Sequence, residues 1–208
     1  MTLPAEDARR FAPAAARNRD PIRDVLLPVL PARGLVLEIA SGSGEHTMHI
    51  ATSSPPALTF QPTDPDAAAL ASIDAWRLHL GLSNVLPALT LDASGDVWPV
   101  ARADAVVCIN MIHIAPWRAA EGLMRGAHRL LPNGGLLYLY GPFRRDGRHT
   151  SAGNAAFDVS LRAQNPDWGV RDLETVAALA KANGFGEPDV TPMPANNLSV
   201  FFTCETST

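Results

Sequence analysis

The run Glu38-Ile39-Ala40-Ser41-Gly42-Ser43-Gly44 puts small residues at alternate positions directly after an apolar stretch. Gly42 and Gly44 can take positive φ and leave room for a ligand against bare backbone. Asp64 stands about 20 residues further on, where a strand-end carboxylate can accept both hydroxyls of a ribose. Asp92, at the next strand end, is placed to accept from the exocyclic amine of a purine. Together they describe a pocket for an adenosine-like ligand. Taken singly, each aspartate is also what a solvated cap at a strand end looks like.

Those residues need elements to hold them. Asn18 or Asp20 offers an N-cap with Pro21 at the first helical position, and Ile22, Val25, Leu26, Val29 and Leu30 form one helical stripe that Pro28 shortens or bends. Leu35 to Ala40 reads as a buried strand, Leu58 to Thr63 as a second ending at Asp64, Val85 to Leu91 as a third ending at Asp92, and Ala105 to Asn110 as a fourth. A helix carrying Leu70, Ile73 and Leu80 is stopped by Gly81. A helix from Trp117 to Leu131 leads through Pro132-Asn133-Gly134-Gly135 to a fifth strand, Leu136 to Tyr140. Some thirty residues of polar, turn-prone chemistry follow, then a helix from Leu173 to Asn183 and two strands near Val190 and from Leu198 to Thr203. Strands alternating with helices predict an α/β domain, mostly parallel, with helices on both faces. The first four strand ends, Asn110–His113 included, then face one crevice.

Composition narrows the partners. The 208 residues make one domain with an N-terminal segment over 1–20, and a formal charge of −4 argues against an electrostatic nucleic-acid binder. Two cysteines, Cys108 and Cys204, exclude a disulfide framework and predict a reducing compartment, the cytoplasm. The first residues lack the basic and apolar regions of a secretion signal, and no run is long enough to span a bilayer. His46 and His49 would be neighbours on a helix, but no third ligand has suitable spacing, so no metal site is expected.

Two cofactor classes fit such a turn. A dinucleotide fingerprint would place a third glycine at position 47, which is Thr47. The turn instead resembles motif I of the class I S-adenosylmethionine-dependent methyltransferases, with Ala40 in place of that family's first glycine. Leu131-Pro132-Asn133-Gly134-Gly135-Leu136 and Ala182-Asn183-Gly184-Phe185 resemble two further signatures of that fold. Arg17-Asn18-Arg19-Asp20-Pro21-Ile22, Gln61-Pro62-Thr63-Asp64, Asn110-Met111-Ile112-His113-Ile114 and Gly141-Pro142-Phe143 look like a methyltransferase-like family of about 200 residues, for which no general substrate is assumed. Phe157-Asp158, Asp167-Trp168-Gly169 and Pro194-Ala195-Asn196-Asn197 continue the likeness, which covers essentially the whole chain. The resemblance implies a Rossmann-like seven-stranded sheet with an antiparallel C-terminal hairpin, S-adenosylmethionine as cofactor and S-adenosylhomocysteine as product. Glu38, Ala40, Ser41, Gly42 and Gly44 would then shape the cofactor turn, Asp64 hold ribose and Asp92 adenine. Arg17 and Asn18 would hold the carboxylate, with His46 at the methionine end and Asn110 at the crevice.

On the acceptor side, His113 follows the fourth strand where the sulfonium should lie, and it is the candidate general base and substrate contact; a histidine packed beneath the crevice is the plainer alternative. The segment 142–172 concentrates Arg144, Arg145, Arg148, Arg162 and Arg171, against 17 Lys+Arg in the whole chain, with Phe143, Phe157 and Trp168. This predicts a lid over a small, anionic and aromatic acceptor, with Phe143, Arg162, Trp168 and Arg171 binding it. The competing reading is a solvated loop whose arginines pair with Asp146, Asp158, Asp167 and Asp172. A small-molecule methyltransferase is expected; a cofactor-binding or scaffold protein without chemistry is the alternative. Reduction by a short-chain dehydrogenase is disfavoured, because Lys181, the only lysine, has Ala177 rather than tyrosine four residues before it.

Overall fold

The computed structural model describes residues 8–205; the rest of the N-terminal segment, before residue 8, lies outside the described residues. Seven strands form one sheet: β1 (Gly34–Ile39), β2 (Leu58–Asp64), β3 (Leu89–Thr90), β4 (Ala105–Ile109), β5 (Leu136–Gly141), β8 (Asp189–Met193) and β9 (Asn197–Thr203). A separate small hairpin pairs β6 (Arg144–Arg145) with β7 (Arg148–His149). The order across the sheet is β3-β2-β1-β4-β5-β9-β8. The first five strands run parallel, and β9 inserts antiparallel between β5 and β8. The chain starts in the middle of the sheet, runs out to β3, then returns to place β4 beside β1. That reversal is the switch point where α/β sheets bind ligands.

Helices α1 (Pro13–Leu26), α2 (Glu45–Thr52), α3 (Ala67–Leu80), α4 (Trp117–Leu130), α5 (Ala152–Gln164) and α6 (Leu173–Ala182) complete the chain. Two apolar clusters separate the layers. Leu37, Val106, Leu137 and Leu139 share one with Leu123, Met124 and Ala127 of α4 and Val176 of α6. Val36, Phe60, Val107 and Tyr138 share the other with Ile22 and Leu26 of α1, Met48 and Ile50 of α2 and Ile73 of α3. Alternate residues of one strand thus feed opposite faces, the pleat of a sheet buried on both sides.

The elements depart from the sequence expectation in three places. Helix α1 begins eight residues early, with Pro13 rather than Pro21 in its first turn and Ala12 at the cap, and Pro21 lies inside the helix. It ends at Leu26, where a 3-10 turn over Leu27–Val29 takes up Pro28. The third strand shrinks to Leu89–Thr90 with an isolated bridge at Val85, because Pro87 has no N–H for a ladder and sits at the sheet edge. The segment 142–172 is folded: it holds the β6–β7 hairpin and the 13-residue helix α5, capped by Ser151.

Candidate active site

The turn after β1 is built from left-handed backbone and stitched to β2. Ala40, Gly42 and Gly44 have φ of 55°, 57° and 88°. Ala40 therefore keeps a conformation that suits glycine, at a cost of about 1–2 kcal/mol for an L-residue. Ser41 N–H donates to the Thr63 carbonyl (2.8 Å), Thr63 N–H to Ser41 Oγ (3.2 Å) and Thr63 Oγ–H to the Glu38 carbonyl (2.7 Å). A Cβ on Gly42 would meet nothing within 4 Å, whereas one on Gly44 would lie 3.0 Å from Ile73 Cα. Gly42 faces open space, and Gly44 lets α3 approach.

Asp64 is buried at the end of β2 and receives Gly42 N–H on Oδ2 and Asp66 N–H on Oδ1, both at 2.9 Å. Each oxygen keeps a lone pair for a further donor. Asp92 lies beyond β3, whose register places Thr90 opposite Asp64. It is exposed, and Ser94 N–H (2.9 Å) and Oγ–H (2.7 Å) both donate to Oδ1, which holds its carboxyl below the usual range. Glu38 is buried beneath the turn and accepts from Thr47 Oγ–H. Burial pushes its carboxyl up to about 7 against the opposing hydrogen bonds from Thr47 and Ser41. Position 47 thus carries a hydroxyl that steadies the turn's acid rather than a third glycine.

At the other end of the turn, His46 Nε2–H donates to Asn18 Oδ1 (2.8 Å). Burial, with His49 and Arg19 acting the same way, pulls His46 down to about 4, so it is neutral. Asn18 and His46 meet beside the turn, while Arg17 stands exposed on α1. Asn110 turns the chain after β4 at φ 63°, a region that asparagine tolerates, and its carbonyl accepts His113 N–H (3.0 Å).

The acceptor side differs from expectation. His113 is fully buried, and burial with Arg171 beside it pulls its pKa down to about 3. Nδ1 accepts the Arg171 backbone N–H (3.2 Å), so the imidazole is not the solvent-accessible base that its place after β4 suggests. Phe143 is fully buried too, edge-on to that ring with centroids 4.8 Å apart, and cannot touch an acceptor as it stands. Arg171 is spent on backbone: Nε donates to the Ile112 carbonyl (2.9 Å) and an amino group to those of Ala115 and Asp167 (both 2.7 Å). Its fork ties the loop after β4 to the chain after α5. Arg162 is half-exposed, with Nε 3.2 Å from both oxygens of Asp158. Trp168 is half-buried in the loop after α5. The paired-arginine reading therefore holds for Arg162, and Arg171 is a clamp within the fold.

The profile of the family described as "Protein of unknown function (DUF938)" matches residues 9–204. The chain belongs to that family. The DUF938 chain is similar in structure to an O-methyltransferase family protein from Burkholderia thailandensis (TM-score 0.77, 19% identity, 94% of this chain and 58% of that one). It is also similar to an O-methyltransferase family 2 protein from Planctomyces limnophilus in complex with apigenin (0.77, 19%, 98% and 62%) and to human N-acetylserotonin methyltransferase in complex with S-adenosylmethionine (0.76, 13%, 93% and 53%). The fold is that of the class I S-adenosylmethionine-dependent methyltransferases. The chain spans less than two-thirds of the length of these relatives.

Sequence reasoning missed how the DUF938 chain secures its turn from outside. Arg10 N–H donates to Ser72 Oγ (2.8 Å), whose hydrogen goes to the Ser43 carbonyl (2.8 Å). Ala12 N–H and Ser43 Oγ–H both donate to Glu45 Oε2, at 2.6 and 2.9 Å. Two of these four donors are the backbone N–H groups of Arg10 and Ala12, which no residue type announces, and the other two are the hydroxyls of Ser43 and Ser72. No described helix is long and apolar enough to cross a membrane.

Proposed function

We propose that this protein is an S-adenosylmethionine-dependent methyltransferase acting on a small-molecule acceptor, with the adenosine half of the cofactor across the tips of β1, β2 and β3. The observation that carries the reading is the unfilled space over Gly42, beside an Asp64 carboxylate fixed by two backbone N–H groups. Asp64 would accept the ribose hydroxyls, Asp92 Oδ2 the adenine amine, and the Asn18–His46 pair would meet the methionine end. Glu38, Ala40, Ser41, Gly42 and Gly44 shape the turn, and Asn110 lines the crevice. When bound, the cofactor supplies an electrophilic methyl group on a sulfonium. The chain's part is to align an acceptor with it and exclude water, for which 142–172 is the cover. Trp168 and Arg162 are its acceptor-facing candidates.

A binder without chemistry is the second reading, favoured by the burial of His113 and Phe143. Thermal-shift and calorimetric titration with S-adenosylmethionine, S-adenosylhomocysteine and NAD tests the first point: binding of the two sulfur compounds and not NAD is expected, and the reverse overturns the reading. Transfer of labelled methyl to a metabolite extract then separates enzyme from binder.

A further inference from the structure

The loop that carries Asp92 has almost no strand to hold it. β3 ends at Thr90, and just beyond it Leu91 N–H donates to the Asp64 carbonyl at 3.3 Å. Asp92 then closes a turn on itself: Ser94 N–H and Oγ–H donate to its Oδ1, and Gly95 N–H to its carbonyl (3.0 Å). All three bonds stay within the turn. Arg125 on α4 lies 3.9 Å from the exposed Asp96, too loose a pair to fix anything.

Packing against α4 does fix it. Gly122 and Gly126 lie one turn apart on that helix, so they share a face. A Cβ on Gly122 would overlap the Ala93 carbonyl oxygen and stand 3.0 Å from Ser94 Cα; one on Gly126 would overlap the six-membered ring of Trp98. Glycine is the weakest helix former after proline, and neither residue has the positive φ that suits it. Their use is the notch they leave. Ala93 and Trp98 fill it, each 7% exposed, and Leu91 is buried in the same cluster, so Asp92 stays exposed between two buried neighbours. Trp98 is held by shape: its Nε1–H is buried with no hydrogen-bond partner among the described residues. The Ser94 bonds, and more weakly Arg118 one turn before Gly122, keep the Asp92 carboxylate ionised.

We propose that Trp98, Gly122 and Gly126 are positioning residues for adenine: the notch in α4 sets where Asp92 stands, and with it the selection of a purine that carries a 6-amino group. The inference rests on the methyltransferase reading above, in which Asp92 accepts that amine. A hydrogen bond weakens steeply once donor and acceptor lose distance and alignment, so a drifting loop would read the base poorly. The ribose end does not depend on α4, because Asp64 is fixed by the N–H groups of Gly42 and Asp66.

The deciding quantity is a ratio of calorimetric affinities, S-adenosylhomocysteine against its analogue with hydrogen in place of the 6-amino group. Both ligands meet the same folded fraction, so a loss of stability cancels. The parent should favour the amine by at least about 10-fold, and Asp92→Ala should lose that preference. Trp98→Leu, which leaves part of the notch empty, should bring the ratio below about 3-fold, and Trp98→Phe, which keeps a ring there, should restore most of it. Gly126→Ala displaces the ring by the opposite means and should lower the ratio too, which serves if Trp98→Leu does not fold. Val176→Ala, a packing loss in the same cluster away from the loop, should lower Tm and leave the ratio alone. A ratio unchanged in Trp98→Leu or Gly126→Ala, or lowered equally by Val176→Ala, overturns the positioning role and leaves the methyltransferase reading intact. A parent without preference, or a preference that survives Asp92→Ala, overturns the inference at its base contact while cofactor binding stands. A parent that binds neither ligand overturns both.

Discussion

Replacing Gly42 and Gly44 by alanine, one at a time, separates the space a cofactor would fill from the space the fold itself needs. Both residues have positive φ, where an added Cβ costs about 1–2 kcal/mol, partly offset by some 0.5–1 kcal/mol from the lost flexibility of glycine. At Gly42 nothing else opposes the methyl group, so stability should fall by about 1 kcal/mol, a Tm drop of roughly 2–4 °C for a chain of this size. At Gly44 the methyl also meets Ile73 Cα at 3.0 Å and Cγ1 at 3.1 Å, and overpacking of that kind adds about 1–3 kcal/mol. Its Tm should fall by roughly 4–16 °C. Binding should run the other way. Calorimetry with S-adenosylhomocysteine should show at least about a 100-fold loss for Gly42→Ala, equivalent to some 2.7 kcal/mol, and less than about 10-fold for Gly44→Ala. If folded Gly42→Ala binds as tightly as the parent, the open space over the turn is not the nucleoside site and the reasoning fails.

Arg171→Ala should cost about 3 kcal/mol in urea titration, since three loop carbonyls lose one fork, with cofactor affinity changed less than about threefold; Arg171→Lys should not rescue it, because a single ammonium cannot span those carbonyls. Ala40→Gly should raise stability by roughly 0.5–1 kcal/mol in the same titration, as glycine is at ease where alanine is held at φ 55°. Glu38 has its pKa raised to about 7 in the folded state, above an unfolded value of ~4.3, so the folded protein binds the extra proton between those values. Its contribution to stability is complete below the lower value and is lost as pH rises through about 7; Glu38→Gln should flatten urea midpoints measured across that window, and an unchanged slope would refute the assignment.

The parts legible in the sequence are those where one residue type has one physical use. Gly81 and Gly184 stop their helices at φ 62° and 83°, and Gly42 and Gly44 form the turn. The seven-stranded sheet and its antiparallel hairpin came through the family resemblance rather than through periodicity. Helix α5 escaped because it buries Asn154 and Asp158 beside Leu161, so its inner face is held largely by hydrogen bonds and lacks an apolar stripe. Arg171 was misjudged because arginine's fork serves backbone carbonyls as readily as carboxylates, and a sequence does not show which lies nearby. His113 was located correctly after β4, but its burial depends on Phe143 and on the Arg171 backbone, both remote in the chain. That Gly42 and Asp64 share one crevice was legible because both sit at strand ends brought together by parallel pairing; the hydrogen bond between them was not.

Both rims of the sheet carry a proline: Pro87 where the β3 side frays and Pro192 within β8. Neither can offer an N–H to an incoming strand, and β3 is too short to act as a template. The molecule can therefore present a wide mixed sheet at high concentration without recruiting stray chains along its borders. Valine at 192 would remove that guard from the longer rim and should be visible as slow, seedable thickening of a concentrated sample.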